Sequence, residues 1–401
     1  MRETERIIGL EDRYSAHNYH PLDVAIRSAQ GSHVTDVEGN TYLDMLAGYG
    51  ALNQGHRHPK IMEAFTSQAE RLTLTSRAFR NDQMGEFAET LCNIAGKDKM
   101  LPMNTGAEAV ETALKIARRW GYEKKGVEND RAEIITASGN FHGRTITITG
   151  FSTEQEYKEG FGQFTPGFKT IPFNDNEALR EAITPNTVGF LVEPIQAEGG
   201  VIVPDPGYLR EASRICKENN VLFIADEIQT GFGRTGKIFA SQHEEVNPDI
   251  LIVGKSLSGG VMPVSAALAD NHIMDVIRPG THGSTYGGNP LGSAVAKAAL
   301  EVIIDEDLAG QAREKGTYFM DKLKEIDSPH IKDVRGKGLL IGVEVDGPAR
   351  EVCEKLQEKR ILAKDAHEKV VRFTPPLVIE QEDIDSALLK IKEVFSARST
   401  K

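Results

Sequence analysis

The chain has 401 residues, with 47 basic and 59 acidic side chains and a formal net charge of −12. This length is too great for one ordinary hydrophobic core and predicts two domains of about 100–200 residues each. The acidic balance argues against a nucleic acid or an anionic membrane as a partner, because no excess of lysine and arginine is available to neutralise phosphates. The 38 glycines exceed the typical share of about 7% and indicate many turns or backbone that closely approaches a ligand.

The cysteines and the amino terminus indicate a cytoplasmic protein. None of the cysteines belongs to a C-x-x-C pair, and we interpret all of them as buried, reduced thiols: Cys92, Cys216 and Cys353. Residues 1–14 lack the apolar core of a secretion signal and the acid-poor bias of a transit peptide. No apolar run is long enough to span a membrane. The histidines of 20–21 and 56–59 have no convergent cysteine or carboxylate partners, so we expect no metal.

Short apolar runs alternate with amphipathic segments through the middle of the chain. Runs rich in β-branched residues predict buried strands over Glu133–Ala137, Val188–Val192, Val221–Ala225 and Ile250–Val253. Amphipathic patterns between them predict helices over Glu108–Trp120 and Tyr208–Glu218. This alternation favours an α/β fold with a mostly parallel sheet that helices cover on both faces.

After a helical run at Leu291–Ile304 the pattern changes to that of a smaller α+β unit. We predict a strand, a helix, a strand and a helix over Ile331–Val345, Ala349–Arg360, Lys369–Phe373 and Glu382–Phe395. No repeat or low-complexity linker marks a boundary, so the division rests on pattern alone. We expect an amino-terminal arm that joins the small domain, a large domain and a carboxyl-terminal small domain over residues 1–45, 46–290 and 291–401.

Two segments contain motifs that suggest a phosphate site. In N-T-G-A-E-A, 104–109, Thr105 and Glu108 form a capping box that starts a helix at Gly106. The free N–H groups of such a start suit a phosphate, although a plain cap with nothing bound explains the motif as well. The segment G-F-G-R-T-G, 231–236, has the spacing of a dinucleotide fingerprint. It does not directly join a strand to a helix, so we interpret it as a chance match in a loop.

Ionisable side chains end two neighbouring strands. Asp226 and Glu227 follow an apolar run, at the strand end where open α/β sheets bind ligands. Lys255 ends the next run, where desolvation would depress its pKa and make it an imine-forming nucleophile. Each has an alternative, a structural ion pair for the acids and a lysine that reaches water for Lys255. Together with the helix start, they match pyridoxal phosphate, which needs a lysine, an acid and a phosphate cradle.

The sequence resembles the class III, fold-type I aminotransferases from about residue 15 to the carboxyl terminus. The resemblance is carried by H-N-Y-H-P (17–21), N-T-G-A-E-A, G-N-F-H-G-R-T (139–145), E-P-I-Q-A-E-G-G (193–200), A-D-E-I-Q-T-G (225–231), G-K-S-L-S-G-G (254–260) and H-G-S-T-Y-G-G-N-P (282–290). The last four motifs are too long for coincidence. The resemblance implies a fold-type I α/β transferase whose large domain binds pyridoxal 5′-phosphate.

The resemblance also implies the cofactor contacts. Lys255 would bind the aldehyde of the cofactor and later move the substrate proton, and Asp226 would pair with the protonated ring nitrogen. Gln229 would contact the ring hydroxyl and Phe141 would stack on the ring. The other cofactor-binding residues would be His142, which stands where some relatives carry tryptophan, and Thr105, Gly106, Ala107 and Thr285. Because Thr285 would reach the phosphate from a neighbouring subunit, the resemblance implies a homodimer with shared active sites.

The implied substrates belong to the ornithine branch of the family: the δ-amino group of ornithine would pass to 2-oxoglutarate. Arg372 would bind the α-carboxylate of the oxoacid and otherwise be neutralised by Glu198. Arg144 would bind the α-carboxylate of ornithine or the distal carboxylate of 2-oxoglutarate. Tyr19 would contact the α-amino group of ornithine, and Tyr49 would line the pocket.

Other functions remain open at this point. Transamination of acetylornithine or 4-aminobutyrate would use the same fold and the same cofactor. A dinucleotide-dependent oxidoreductase would instead use the G-F-G-R-T-G segment, and a binding protein of this fold would use neither. The lysine, the aspartate and both arginines argue against a mere binding protein. Colour would separate the oxidoreductase from the transaminases, because a protein that carries pyridoxal phosphate should be yellow.

Overall fold

The computed structural model describes residues 2–397. The strands are β1 Ile26–Gln30, β2 His33–Asp36, β3 Thr41–Asp44, β4 Lys99–Met103, β5 Glu133–Ala137, β6 Phe168–Ile171, β7 Thr187–Val192, β8 Leu222–Asp226, β9 Ile250–Val253, β10 Ser265–Ala269, β11 Ile331–Lys337, β12 Leu340–Val345, β13 Ile361–Leu362, β14 Lys364–Ala366 and β15 Val370–Phe373. The helices are α1 Glu3–Tyr14, α2 Ala47–Gly50, α3 Pro59–Ala69, α4 Met84–Ala95, α5 Gly106–Trp120, α6 Ile146–Gly150, α7 Asn176–Ala182, α8 Tyr208–Glu218, α9 Asn271–Met274, α10 Pro290–Asp305, α11 Leu308–Lys324, α12 Ala349–Glu358 and α13 Gln381–Ala397.

A seven-stranded sheet forms the centre of the molecule, in the order β4-β10-β9-β8-β7-β5-β6. Only β10 runs antiparallel to its neighbours, so the prediction of a mostly parallel sheet is confirmed. Side chains of β8 alternate between the two faces, as a pleated strand requires. Leu222 and Ile224 join the buried cluster that contains α5, whereas Phe223 and Ala225 join the one that contains α8. Helices therefore cover both faces of the sheet.

The predicted central helices form where their patterns and caps place them. Helix α8 has the predicted bounds, and α5 begins at Gly106, where the Thr105–Glu108 capping box satisfies the first N–H groups. The apolar face of α5 is buried against the sheet. Among residues 2–397, no helix is long and apolar enough to cross a membrane.

Two four-stranded sheets complete the structure, in the orders β1-β2-β3-β13 and β11-β12-β15-β14. The strand predicted over Ile331–Val345 was wrong, because it is a hairpin of two antiparallel strands. The turn depends on Gly338, whose φ of 54° favours glycine and whose Cβ would lie 2.5 Å from the backbone of Thr235. The pairing of β13 with β3 joins residues from both ends of the chain in one sheet. The proposed division into domains stays a prediction. Its first residue and its last four, 398–401, lie outside the described residues.

The topology brings the carboxyl ends of the parallel strands to one edge of the central sheet. Residues that follow β5, β7, β8 and β9 therefore meet there, and the start of α5 follows β4 at the same edge. In open α/β sheets this edge is where ligands bind. Asp226 ends β8 and pairs in register with Ile252 of β9, so Lys255 follows one strand beside it.

Candidate active site

A cavity of about 180 Å³ opens at this edge of the sheet. Seven of the predicted cofactor residues line it: Gly106, Ala107, Phe141, His142, Asp226, Gln229 and Lys255. The motif resemblance did not single out five further lining residues: Gly143, Glu193, Ile195, Ile228 and Thr230. Four separate strand ends and one helix start contribute to the cavity, which explains why no single sequence segment identifies it.

Lys255 is the only lysine that lines this cavity within residues 2–397. Burial and, to a smaller extent, the nearby Arg372 lower the pKa of its ammonium group, the carboxylates of Glu198, Asp226 and Glu193 oppose this shift, and the net result is a pKa of about 8. Its backbone has a φ of 45°, a left-handed conformation that side chains other than glycine rarely adopt. Such strain is typical of functional positions. Lys255 is therefore a partly neutral amine near physiological pH.

Asp226 is buried and held in one orientation by two donors. Nδ1 of His142 donates to Oδ2 of Asp226 over 2.6 Å, and the N–H of Ile228 donates to Oδ1 over 3.0 Å. The side chain of His142 is fully buried, and its Nε2 has no partner among the described residues. Each oxygen of the carboxylate accepts one of these bonds and keeps further acceptor capacity, and Asp226 lines the cavity. The pair can therefore present a fixed carboxylate to a cationic ring nitrogen.

Glu193 is a second buried carboxyl group of the cavity, and sequence reasoning missed it. Its Oε2 accepts a hydrogen bond from the N–H of Phe141 over 2.9 Å. Burial, and then the neighbouring Asp226, raise the pKa of Glu193 well above its ordinary value. The hydrogen bond fixes the backbone of Phe141 and hence the ring that lines the cavity. The signal in the sequence was its position directly after the apolar run of β7.

The start of α5 forms part of the cavity wall. The N–H groups of Gly106 and Ala107 lie in the first turn, where no intrahelical acceptor is available. Backbone packs closely here, since a Cβ at Gly106 would lie 3.0 Å from Ile228. Thr105 caps the helix from outside the lining. Thr285 is exposed and also lies outside the lining, in a loop that Asn104 contacts through Ser284 at 3.0 Å.

A larger cavity of about 600 Å³ adjoins Lys255 and contains the predicted substrate residues Tyr19, Tyr49, Arg144 and Glu198. Arg372 lies behind it with no exposed side-chain surface. Nη1 of Arg372 donates to Oε1 of Glu198 over 2.8 Å, and Nε2 of Gln229 donates to the same oxygen over 3.0 Å. Burial raises the pKa of Glu198, but Arg372, Lys255 and Gln229 together hold it below its ordinary value. The predicted pair of Arg372 and Glu198 is therefore formed.

Two further nitrogens of Arg372, Nε and Nη2, are buried without any partner among residues 2–397. Buried donors of a charged group without acceptors are rare in folded proteins, and they indicate a missing ligand. A carboxylate would satisfy both, because the guanidinium fork matches its two oxygens. The pair with Glu198 therefore leaves part of the hydrogen-bonding capacity of Arg372 unused.

The residues of the smaller cavity fit pyridoxal phosphate. Lys255 supplies an amine for the aldehyde, Asp226 a carboxylate for the ring nitrogen, and the start of α5 supplies N–H groups for the phosphate. Phe141 and Ile228 supply apolar surface for the ring. The unpartnered Nε2 of His142 leaves one further polar atom in the cavity wall.

Comparison with known proteins decides the family. Residues 14–395 match the family model described as Aminotransferase class-III. The chain belongs to the class III aminotransferases. The predicted fold-type I architecture and the cofactor pyridoxal 5′-phosphate are thereby confirmed. The dinucleotide-dependent alternative was wrong, because residues 231–236 form a loop in which the Arg234 guanidinium donates to the carbonyls of Leu339 and Pro375.

Relatives of this class III aminotransferase match it along nearly its whole length. Ornithine aminotransferase of Brevibacillus brevis is 58% identical over 395 residues, which are 98% of this chain and 99% of that protein. The crystal structure of ornithine aminotransferase from Toxoplasma gondii ME49 has a TM-score of 0.98 and 48% identity, and the match covers 100% of this chain and 96% of that one. Acetylornithine aminotransferase from Elizabethkingia anophelis is also similar, with a TM-score of 0.91, 47% identity and coverage of 99% and 100%.

Proposed function

We propose that this class III aminotransferase is an ornithine δ-aminotransferase. It transfers the δ-amino group of L-ornithine to 2-oxoglutarate and gives glutamate-5-semialdehyde, which cyclises to pyrroline-5-carboxylate, and glutamate. The observation that carries the proposal is the contact of 2.8 Å between Arg372 and Glu198 beside Lys255. With the contact formed, Arg372 is neutralised and does not bind the amine donor. With the contact broken, Arg372 can bind the carboxylate of an oxoacid.

In this proposal the smaller cavity holds the cofactor. Lys255 would bind its aldehyde, Asp226 its ring nitrogen, Gln229 its ring hydroxyl and Phe141 the face of its ring. Gly106 and Ala107 would bind its phosphate, with Thr105 as the cap of that helix start, and His142 would hold Asp226 in place. The cofactor, when bound, supplies an electron sink that stabilises negative charge on the substrate carbon that loses a proton. The Nζ atom of Lys255 moves that proton, and its lowered pKa makes the neutral amine available as the base near pH 8.

The larger cavity orients the two substrates. Arg144 binds the α-carboxylate of ornithine, so that the δ-amine points to Lys255, and Tyr19 contacts the α-amine. Tyr49 packs on the other side, with its ring centre 5.3 Å from the Arg372 guanidinium. When 2-oxoglutarate binds, Arg144 takes its distal carboxylate. Glu198 then releases Arg372, whose free nitrogens bind the α-carboxylate in bidentate geometry.

The proposal includes a homodimer in which each subunit completes the site of the other. Support comes from Thr285, which stays exposed outside the cavity of its own chain although its motif belongs to the family pattern. The loop around it lies against residues that start α5, which is the phosphate end of the cavity. In the proposed dimer, Thr285 of the partner subunit would contact the phosphate.

Side-by-side turnover tests the substrate. The purified protein should convert ornithine far faster than acetylornithine or 4-aminobutyrate, and ornithine alone should bleach the absorption of the bound cofactor. Borohydride reduction followed by peptide mass spectrometry should place the cofactor on Lys255. A protein that prefers acetylornithine or 4-aminobutyrate would refute the ornithine proposal while leaving the family unchanged.

Acetylornithine is the second candidate donor, because one structural relative with 47% identity carries that name. The two donors differ at the α-nitrogen, which is a free amine only in ornithine. Tyr19 is 72% exposed at the cavity mouth and could contact that amine. Substitution Tyr19→Phe should weaken ornithine binding and leave acetylornithine unaffected, and the opposite result would favour the second candidate.

A further inference from the structure

The support of Arg144 in the substrate cavity is aromatic rather than ionic. Its guanidinium carbon lies 3.6 Å from the centre of the Tyr157 ring, which is stacking distance, and 5.6 Å from the centre of the Phe141 ring. Glu154 and Glu156 line the same cavity. Neither of them, nor any other carboxylate within residues 2–397, forms a salt bridge with Arg144. The cation is therefore supported on one face by the ring and has no carboxylate partner among residues 2–397.

Tyr157 also contacts the residue assigned to the cofactor ring. The rings of Tyr157 and Phe141 meet edge to face, with centres 6.3 Å apart and planes at 81°. This geometry is a favoured one for aromatic pairs. Burial raises the pKa of the Tyr157 phenol, although the Arg144 cation opposes the shift, so the ring is uncharged at neutral pH. The three side chains form a continuous contact from the cofactor cavity to the substrate cation.

An aromatic face suits a cation that has to bind a carboxylate. A carboxylate partner would compete with the substrate for the guanidinium, and it would have to be displaced at each binding event. A ring face attracts the cation through its quadrupole and leaves the N–H groups at the edge of the guanidinium unoccupied. It also restricts a long and flexible side chain before the substrate arrives, which lowers the entropy lost on binding.

We propose that the ring of Tyr157 is a positioning element for substrate specificity, which holds Arg144 in the orientation that binds the substrate carboxylate. The inference rests on the proposed function, in which Arg144 binds the α-carboxylate of ornithine and the distal carboxylate of 2-oxoglutarate. Tyr157 acts through Arg144 and needs no contact with either substrate. The hydroxyl group of Tyr157 is dispensable, because the face of the ring provides the support.

The test compares Tyr157→Leu, which removes the ring, with Tyr157→Phe, which keeps it. The leucine variant should raise the KM for ornithine about 3- to 10-fold and leave kcat within about twofold, because orientation of the carboxylate is lost and the chemistry is kept. The phenylalanine variant should stay within about twofold of the unchanged protein. Absorption of the bound cofactor and the melting temperature report folding, and Tyr157→Gln replaces the leucine variant if that variant is unstable.

A binding measurement separates this inference from the choice of amine donor. Calorimetric titration with glutarate, a dicarboxylate without a reactive amine, should show the same 3- to 10-fold loss of affinity in Tyr157→Leu. In an Arg144→Ala background the leucine substitution should add less than about twofold, because both changes remove one interaction.

Three outcomes would overturn the inference. They are unchanged glutarate affinity in Tyr157→Leu, an undiminished effect in the Arg144→Ala background, and an equal loss in Tyr157→Phe. A protein that rejects ornithine but shows the glutarate pattern would refute the proposed donor and support the role of Tyr157.

Discussion

The two arginines of the substrate cavity are held in opposite ways. Arg372 has no exposed side-chain surface and pairs with Glu198 at 2.8 Å. Arg144 is exposed, lacks a carboxylate partner among residues 2–397, and stacks on Tyr157 at 3.6 Å. A buried cation needs a counter-charge or a full set of hydrogen-bond acceptors, because desolvation would otherwise be too costly, whereas an exposed one does not. The same side chain can thus act as a gated site or as a permanently open one.

The difference matches the different demands of two substrates. In the proposed function Arg144 binds a carboxylate in both half-reactions, so it can stay open. Arg372 binds a carboxylate in only one, and Glu198 neutralises it in the other. Environment, rather than residue type, therefore sets which arginine discriminates between donor and acceptor.

The largest expected effect concerns stability. Arg372→Ala should lower the free energy of unfolding by about 3 kcal/mol, because it leaves the mostly buried Glu198 without its cation and opens a cavity. Arg144→Ala should cost less than about 1 kcal/mol, because the side chain is exposed and loses only ring contacts. Denaturant unfolding of the cofactor-free variants, at one fixed protein concentration, measures both losses of unfolding free energy. Equal losses would break the comparison between a gated and an open arginine.

The sequence predicted much of this site and little of its support. Three site residues could be predicted because each stands at one end of a strand or helix, where position along the chain fixes position in the sheet. They are Lys255, Asp226 and the helix cap Thr105. Arg144 and Arg372 came from motif resemblance. Tyr157 could not be predicted, because it ends a single 3₁₀ turn, Gln155–Tyr157, that is too short to show a hydrophobic period. Its contact with Arg144 is a property of tertiary packing.

The contrast between sequence pattern and tertiary packing also explains where the predicted fold was wrong. Buried runs such as β5 and β9 were predicted with their observed bounds, since a strand covered on both faces reads as a continuous apolar segment. The hairpin of β11 and β12 was predicted as one strand, because only Gly338 and Leu339 separate the two strands. Hydrophobic periodicity does not predict a glycine turn that packs against another loop.

The second prediction concerns the pH dependence of the reaction between Lys255 and added pyridoxal phosphate, which should differ between variants of the two arginines. Only the neutral amine of Lys255 reacts, and its pKa is lowered to about 8, so the capture rate should rise about tenfold per pH unit below 8 and level off above it. Arg372 is one of the principal causes of this lowering, and Arg144 is not among them. Removal of Arg372 should therefore move the midpoint to higher pH, and removal of Arg144 should leave it in place. Absorbance changes after addition of pyridoxal phosphate to the cofactor-free variants give the rates.

A midpoint that moves equally in both variants would show that the two cations act on Lys255 alike. The variant Glu198→Gln provides the matched control of opposite sign. Its carboxylate raises the pKa of Lys255, so its loss should move the midpoint to lower pH.

Removal of the gate should have a smaller effect, on substrate preference. Glu198→Ala frees Arg372, so donors that present an α-amine beside an α-carboxylate, such as glutamate, should react about tenfold better relative to ornithine. Single-turnover loss of the cofactor absorption with each donor measures the ratio. Glu193→Gln is the control, because that carboxyl group lines the site but does not contact Arg372. An unchanged ratio in Glu198→Ala would mean that the ion pair does not gate the site.

The smallest effect should come from the aromatic neighbour of Arg372. Tyr49 lies in the left-handed backbone region, with a φ of 59°, and its ring centre is 5.3 Å from the guanidinium, a longer contact than that of Tyr157 with Arg144. Because Glu198 and burial already hold Arg372, Tyr49→Leu should raise the KM for 2-oxoglutarate only about twofold. Tyr49→Phe should have no effect. A loss as large as that of Tyr157→Leu with ornithine would show that both arginines depend on a ring, and that the counter-charge adds gating without adding orientation.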